Sequence, residues 1–117
     1  LWISLKADVL SLSIEEHEKF FSATSHLPHL ISYALIKTIN DKGIDIEKFS
    51  AGGLSEFIRL AKSSEILWSD IFKSNLENIE EDTKAFIKNM HDLLEEASKN
   101  DSKSLLKKIQ LIKKGVS

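Results

Sequence analysis

Residues 76–97 read LENIEEDTKAFIKNMHDLLEEA, and apolar or small residues recur there every three or four positions. Because an α-helix has 3.6 residues per turn, this spacing gathers them on one side of a helix. The stripe contains Leu76, Ile79, Thr83, Phe86, Ile87, Met90, Leu93, Leu94 and Ala97. It spans about 33 Å at the ~1.5 Å rise of each helical residue. A helix of that length in a small domain usually packs against a partner as well as its own neighbours, so we expect a homodimer.

The remaining sequence also favours helices, because only Pro28 and four glycines interrupt it. Ser13 followed three residues later by Glu16 is a capping box, which places a helix start at about Ile14. We expect this helix to run to Asn40 and to be kinked or broken near Pro28. A loop over 41–53 should follow, with a possible short turn at 45–49. Two helices are predicted over 54–62 and 65–75, and Ser63 or Ser64 should cap the second. After a break at 100–102, a last helix is lined by Leu105, Leu106, Ile109 and Ile112.

The first residues follow a different pattern. Residues 7–12 (ADVLSL) alternate with a period of two, which is typical of a short strand. A lone strand cannot form a sheet, so we expect residues 1–13 to be the end of an upstream domain or a linker, and 14–117 to be the helical domain. The chain starts at Leu1 without an initiator methionine, which also favours a domain of a longer protein. The predicted fold is all-α, with a helical hairpin at the C-terminus and a short N-terminal strand remnant.

Composition excludes several classes of function. Sixteen basic and eighteen acidic residues give a net charge of −2, so charge favours binding neither to nucleic acid nor to a membrane surface. No apolar run approaches the roughly 20 residues that span a bilayer. The chain has no cysteine, which rules out disulfides and thiolate chemistry and fits a cytoplasmic location.

One polar stripe stands out in the first predicted helix. It consists of Glu18, Ser22, His26, His29 and Tyr33, again three or four residues apart. Such a stripe is often only the solvated face of a helix. The alternative is a site, since two histidines at i and i+3 could bind a metal if further close ligands were present.

Three features follow in the middle of the chain. Gly52-Gly53 precedes a predicted helix, where backbone N–H groups can bind a carboxylate or phosphate, although a double glycine is more often only a turn. Arg59 is the only arginine beside fifteen lysines. Its planar guanidinium can bind a carboxylate through two parallel hydrogen bonds, or it can form a structural ion pair with Glu56. The spacing around Trp68 indicates a core or interface aromatic residue.

Together these segments resemble the C-terminal domain of prephenate and arogenate dehydrogenases. The matching stretches are His17-Glu18, SHLPHL at 25–30, FSAGGLSEFIRLA at 49–61, Ser63, LWSDIF at 67–72 and Asn75. Residues 1–13 resemble the junction that leaves the family's nucleotide-binding domain. Beyond Asn75 the likeness is one of helix pattern only.

The resemblance implies NAD(P)-dependent oxidative decarboxylation of prephenate, or arogenate, in tyrosine biosynthesis. Hydride leaves the ring carbinol carbon, the ring carboxylate departs as CO2, and prephenate becomes 4-hydroxyphenylpyruvate. The resemblance places NAD or NADP and the catalytic histidine in a separate N-terminal domain. The resemblance therefore implies no catalytic residue in this chain, and the lack of a Gly-x-Gly-x-x-Gly sequence predicts no cofactor-binding residue either, so we expect no turnover by the chain alone.

The resemblance also assigns substrate-binding roles to residues of this chain. The counterpart of Arg59 binds a substrate carboxylate, and that of Glu56 joins an ionic network around it. The counterparts of His26, Gly52 and Gly53 line a pocket for the substrate or for tyrosine as a feedback inhibitor. The counterpart of Trp68 reaches toward the neighbouring subunit's site.

The sequence departs from the family pattern close to these residues. The family usually has glycine at the position of Ala51, phenylalanine at that of Leu54 and threonine at that of Ile58. It usually has aspartate where this chain has Glu18 and Glu56. These changes bear on the choice between prephenate and arogenate and on sensitivity to tyrosine.

Two other functions remain open. A non-catalytic helical dimerisation module would turn Arg59 and His26 toward solvent or structural partners rather than into one cleft. A metal-binding helical bundle would bring the rings of His26 and His29 together with a carboxylate.

Overall fold

A computed structural model describes residues 13–48 and 52–116, and these residues form an all-α structure, as the sequence predicted. The strand predicted at 7–12 and the segment that would lead in from another domain lie outside the described residues. The elements are α1 (Ile14–Phe21), a π-helical segment (Ser22–His26), α2 (Leu27–Asp41), α3 (Leu54–Ala61), α4 (Glu65–Ser74), α5 (Leu76–Ser98) and α6 (Ser102–Lys113). None of the helices in these residues combines the length and the apolar character that a bilayer crossing requires.

The first predicted helix begins where the capping box indicated. Ser13 Oγ accepts a hydrogen bond from the Glu16 backbone N–H at 3.2 Å. The irregularity expected near Pro28 lies in the turn before it, where the chain widens into the π segment and the Leu27 N–H bonds to the Ser22 carbonyl. Pro28 sits in the first turn of α2. Proline has no N–H for the carbonyl four residues back and its ring would clash with that carbonyl, so a widened turn accommodates it without ending the helix.

The connection between α2 and α3 contains the predicted turn. Asp45 accepts from the Glu47 N–H through Oδ1 at 3.1 Å and from the Lys48 N–H through its carbonyl at 3.2 Å. Gly52 has φ of 69°, a left-handed conformation that favours glycine. Its carbonyl accepts from both the N–H and the hydroxyl of Ser55, which fixes the start of α3. α3 then packs against α2.

α4 and α5 are separated by one residue, Asn75. Ser64 rather than Ser63 caps α4, accepting from the Leu67 N–H at 3.3 Å. The Asn75 N–H bonds to the Ile71 carbonyl at 3.0 Å, and its own carbonyl accepts from Ile79 N–H at 3.1 Å. Backbone hydrogen bonding therefore continues on both sides of the break, and Asn75 is held from two directions.

The chain divides into two compact units, of which the first ends at Asp82 and the second begins at Thr83. In the first unit Trp68 and Ile79 are buried apolar residues. The second unit contains most of α5 together with α6, joined by a short turn in which Asp101 Oδ1 caps the Lys103 N–H at 2.9 Å. Glu96 accepts hydrogen bonds from Ser104 on α6 and from Lys99 in this turn. These contacts confirm the predicted C-terminal hairpin.

Candidate functional site

The polar stripe of the first helix lies against α4 and is not a solvated face beyond Glu18. Ser22 is fully buried, and His26, His29 and Tyr33 are half-buried. The Tyr33 ring meets Phe72 of α4 edge to face, with ring centroids 6.1 Å apart. The stripe therefore packs inside the first unit, which leaves its two histidines with protein neighbours.

Trp68 organises the aromatic part of this packing. Its ring stacks on His29, with centroids 3.5 Å apart and planes 15° apart. His26 meets the same ring edge to face at 5.9 Å and 78°. Only 8% of Trp68 is exposed, so in this chain it is a core residue, one of the two positions that its spacing allowed. Its predicted role at a neighbouring subunit's site stays a prediction.

Asn75 completes this group, although it was not predicted as a site residue from the sequence. Its Nδ2 donates to the Glu18 carbonyl at 2.8 Å and lies 3.1 Å from His26 Nδ1. Its Oδ1 accepts from Asn78 Nδ2 at 2.8 Å. The signals in the sequence were the match of Asn75 to the family and its place beside the start of the apolar stripe at Leu76. We call His26, His29, Trp68 and Asn75 the His26 cluster.

The surroundings of His26 favour its neutral form. Burial lowers the pKa of His26, because desolvation penalises the charged imidazolium, and the nearby His29 lowers it further. The ring also lines an open cavity of about 390 Å³, whose other walls are Ile14, His17, Glu18 and Phe21. Asn75 therefore holds the Nδ1 edge of the His26 ring, while the ring also borders a space that a small molecule could enter.

Arg59 and Glu56 form a separate feature on α3. Arg59 Nε and Nη2 both donate to Glu56 Oε2, at 3.2 and 2.9 Å. The Arg59 side chain remains 67% exposed, and it is not among the residues that line the cavity beside His26. The structure thus contains the local ion pair that the sequence allowed, on the surface of this chain.

Gly52 and Gly53 precede this ion pair in the chain. A methyl group added at either position would meet no atom of residues 13–48 and 52–116 within 4 Å, so close packing against these residues does not require either glycine. The backbone conformation of Gly52 is what favours glycine there. The space above both residues is open, as the predicted pocket role would need, and that role stays a prediction.

A metal site gains no support from the structure. Across residues 13–48 and 52–116, no three histidine or carboxylate side chains gather in a group that could hold a metal ion. His29 Nδ1 lies 3.1 Å from the Ser25 carbonyl, and His26 Nδ1 faces Asn75. The rings of the two histidines are engaged with protein atoms.

Comparison with known proteins identifies the family. Residues 13–111 match the family model described as prephenate dehydrogenase, dimerization domain. The chain is 26% identical over 104 residues to a prephenate dehydrogenase of Lactococcus lactis and 27% identical over 104 residues to one of Bacillus subtilis. Each alignment covers 86% of this chain but only 29% and 28% of the relative, so the chain spans less than a third of these enzymes.

Solved structures agree with this result. A prephenate dehydrogenase from A. aeolicus, crystallised with hydroxyphenyl propionate and NAD+, superposes with a TM-score of 0.79 at 33% identity, covering 87% of this chain and 37% of that one. A second structure of the enzyme from Aquifex aeolicus gives a TM-score of 0.78 at 32% identity with the same coverage. On the match of residues 13–111, this chain belongs to the prephenate dehydrogenase dimerization-domain family.

Proposed function

We propose that this chain supplies the substrate-binding and dimerisation part of an NAD(P)-dependent prephenate dehydrogenase. The enzyme would convert prephenate to 4-hydroxyphenylpyruvate and CO2 in tyrosine biosynthesis. The observation that carries the proposal is the fold shared with a prephenate dehydrogenase over 87% of this chain at 33% identity. A fold alone does not determine function, but the family match over residues 13–111 includes the residues whose side chains the proposal uses.

The proposal assigns Arg59 to a carboxylate of the substrate. A guanidinium carries five N–H donors, and Glu56 engages only the Nε and Nη2 side. The Nη1 side is left to bind a carboxylate, while Glu56 holds the plane of the guanidinium in place. Lysine could supply the charge but not this planar geometry.

The His26 cluster would form the second part of the site. His26 borders the cavity and Trp68 contacts its ring. Gly52 and Gly53 are not among the residues that line this cavity, and the proposal places them beside the ligand because of the resemblance to the family. Arogenate remains the alternative substrate, and tyrosine is included as a candidate feedback inhibitor. In keeping with a biosynthetic role, the proposal places the protein in the cytoplasm.

A dinucleotide does not fit the residues of this chain. The sequence lacks the Gly-x-Gly-x-x-Gly loop that cradles a pyrophosphate, and the part that the structure describes consists of helices and their connections, without the parallel strands that such a loop follows. The proposal therefore places NAD or NADP in a separate nucleotide-binding domain and derives none of the cofactor's chemistry here. The chain without that domain is expected to be inactive with NAD+ and prephenate.

Homodimerisation is the other part of the proposal, and the second unit supports it. Several large apolar side chains of α5 and α6 are exposed in the single chain: Ile87, Met90, Leu94, Leu106, Ile109, Leu111 and Ile112. Exposed apolar surface of this extent on one helical hairpin is typical of a protein–protein contact.

Steady-state kinetics of Arg59→Lys, in this chain joined to its nucleotide-binding domain, tests the substrate site. Loss of the bidentate contact costs roughly 2–5 kcal/mol when the pair is desolvated by bound substrate, so we expect KM for prephenate to rise roughly 30-fold or more. KM for NAD+ should stay unchanged. Lys62→Arg, the reverse exchange at the end of the same helix, is the control and should behave as wild type.

Two results would contradict the proposal. If folded Arg59→Lys, checked by circular dichroism, keeps the wild-type KM and kcat, Arg59 is only a structural partner of Glu56. If the joined wild-type protein does not reduce NAD(P)+ in the presence of prephenate or arogenate, the chain is a non-catalytic dimerisation module. The pairing of Arg59 with Glu56 and of His26 with Asn75 inside the chain is the observation that favours this second function.

A further inference from the structure

The hydrogen bonds around Asn75 fix which way its amide points. The backbone carbonyl of Glu18 can only accept a hydrogen bond, and the Asn75 side-chain atom 2.8 Å from it must therefore be the NH2 group. Asn78 supports the same orientation, since its own NH2 lies 2.8 Å from the Asn75 oxygen. Asn75 is nearly buried, at 6% exposure, so water cannot easily replace these partners.

This orientation determines the tautomer of His26. An amide NH2 has two hydrogens, and with one directed to Glu18 the other faces His26 Nδ1 at 3.1 Å. A neutral imidazole carries its proton on one nitrogen and accepts on the other. Nδ1 must accept here, which places the proton on Nε2.

We propose that Asn75 is a positioning residue that holds His26 as the neutral Nε2–H tautomer, so that the ring offers a hydrogen-bond donor to an oxygen atom of a ligand in the adjoining cavity. The ligand part of this inference rests on the proposed function, whereas the tautomer does not. Among residues 13–48 and 52–116, no hydrogen-bond partner lies at Nε2, so within this part of the protein Nε2 can donate to a ligand.

Protonation of His26 would break this arrangement. An imidazolium would turn an N–H toward the Asn75 NH2, setting two donors against each other. Burial and the neighbouring His29 act in the same direction by lowering the pKa of His26. The other groups that face His26 come from three places. His17 and Glu18 of α1 line the same cavity, Trp68 of α4 contacts the His26 ring, and Asn75 at the α4–α5 junction faces its Nδ1. Trp68 and Asn75 carry no charge.

Nitrogen-15 NMR of the histidine rings in the chain, without ligand, tests the proposal. In wild type we expect His26 Nδ1 to show the shift of an unprotonated ring nitrogen and Nε2 that of a protonated one, with a pKa below the ordinary histidine value of about 6.5. Asn75→Ala should give a mixture of tautomers and a higher pKa. Asn75→Asp, of nearly the same shape, places an acceptor at Nδ1, so His26 should become Nδ1-protonated with a pKa above that ordinary value.

Asn78→Ala is the matched control, because it removes a partner of Asn75 but leaves the NH2 that faces His26. It should keep the Nε2–H tautomer. The proposal is overturned if wild-type His26 carries its proton on Nδ1, or if folded Asn75→Ala and Asn75→Asp leave the tautomer and titration unchanged. A structural role alone would alter stability without changing the tautomer. Since no substrate is present, this result is independent of the kinetics of Arg59→Lys.

Discussion

The two units of this chain differ in burial, because the first has buried residues while none of the described residues of the second, 83–116, is buried, although both expose large apolar side chains. The first unit buries polar groups: Ser22 is inaccessible, Asn75 nearly so, and His26 and His29 pack on Trp68. The second unit leaves large apolar residues in solvent. Asn75 has directed partners in Glu18, His26 and Asn78, and losing one of them would cost free energy, whereas exposed apolar groups gain free energy from any matching surface. Under the proposed function, we expect the first unit to carry specificity and the second association.

Ile79→Ala tests the core of the first unit and should have the largest effect on stability. Ile79 is 3% exposed, and truncating a buried isoleucine costs about 2–5 kcal/mol through lost burial and the cavity left behind. Chemical denaturation followed by circular dichroism measures the free energy of unfolding. Ile66→Ala is the matched control, since Ile66 is 73% exposed and should change stability little. Equal losses in both variants would show that burial in this unit does not decide stability.

Leu94→Glu tests association through the second unit. Leu94 is 64% exposed in the single chain, so a charge there should not unfold the chain. If Leu94 is covered in a homodimer, the charge must be desolvated, and we expect the dimer dissociation constant to rise on the order of 100-fold, or about 2.7 kcal/mol. Sedimentation should give twice the chain mass for wild type at micromolar concentration. Asn89→Glu, on the polar side of α5, should still dimerise.

Two sedimentation results would contradict this expectation. A monomeric wild type would remove the dimer from the proposed function. A Leu94→Glu protein that dimerises as well as Asn89→Glu would move the interface away from this part of the hairpin.

Features set by neighbouring residues could be predicted from the sequence. The bounds of α3, α4 and α5 agree with the predicted ones to within one residue, because caps and apolar periodicity act within a few turns. The Glu56–Arg59 pair is likewise local, at a separation of three residues. The π segment was missed because the sequence marked Pro28 itself, whereas the structure adapts in the preceding turn.

The His26 cluster could not be derived in the same way. Asn75 is 49 residues from His26 and 57 from Glu18, and no periodic pattern links positions so far apart. The resemblance to a family did include His26, Trp68 and Asn75, but without a role for the asparagine. Spacing alone also left open whether the polar stripe was solvated, since that depends on what α4 presents to it.

Glu96→Gln should have the smallest effect, on the hairpin of the second unit alone. Hydrogen bonds from Ser104 and Lys99 lower the pKa of Glu96, because both favour its charged form. A carboxylate with a lowered folded-state pKa adds stability above its unfolded pKa, about 4.3, and loses it as pH falls through the lower folded value. Wild-type α6 should therefore show faster amide hydrogen exchange, relative to its intrinsic rate, as pH falls below that range. Glu96→Gln should show faster exchange already at neutral pH, and its exchange should change less as pH falls.

Glu95→Gln removes the same charge one residue away and should keep the wild-type profile. Matching profiles for wild type and Glu96→Gln would mean that the hairpin is held by its apolar contacts rather than by this carboxylate. The contrast between the two units would then be sharper, because polar contacts between separate helices would stabilise only the first.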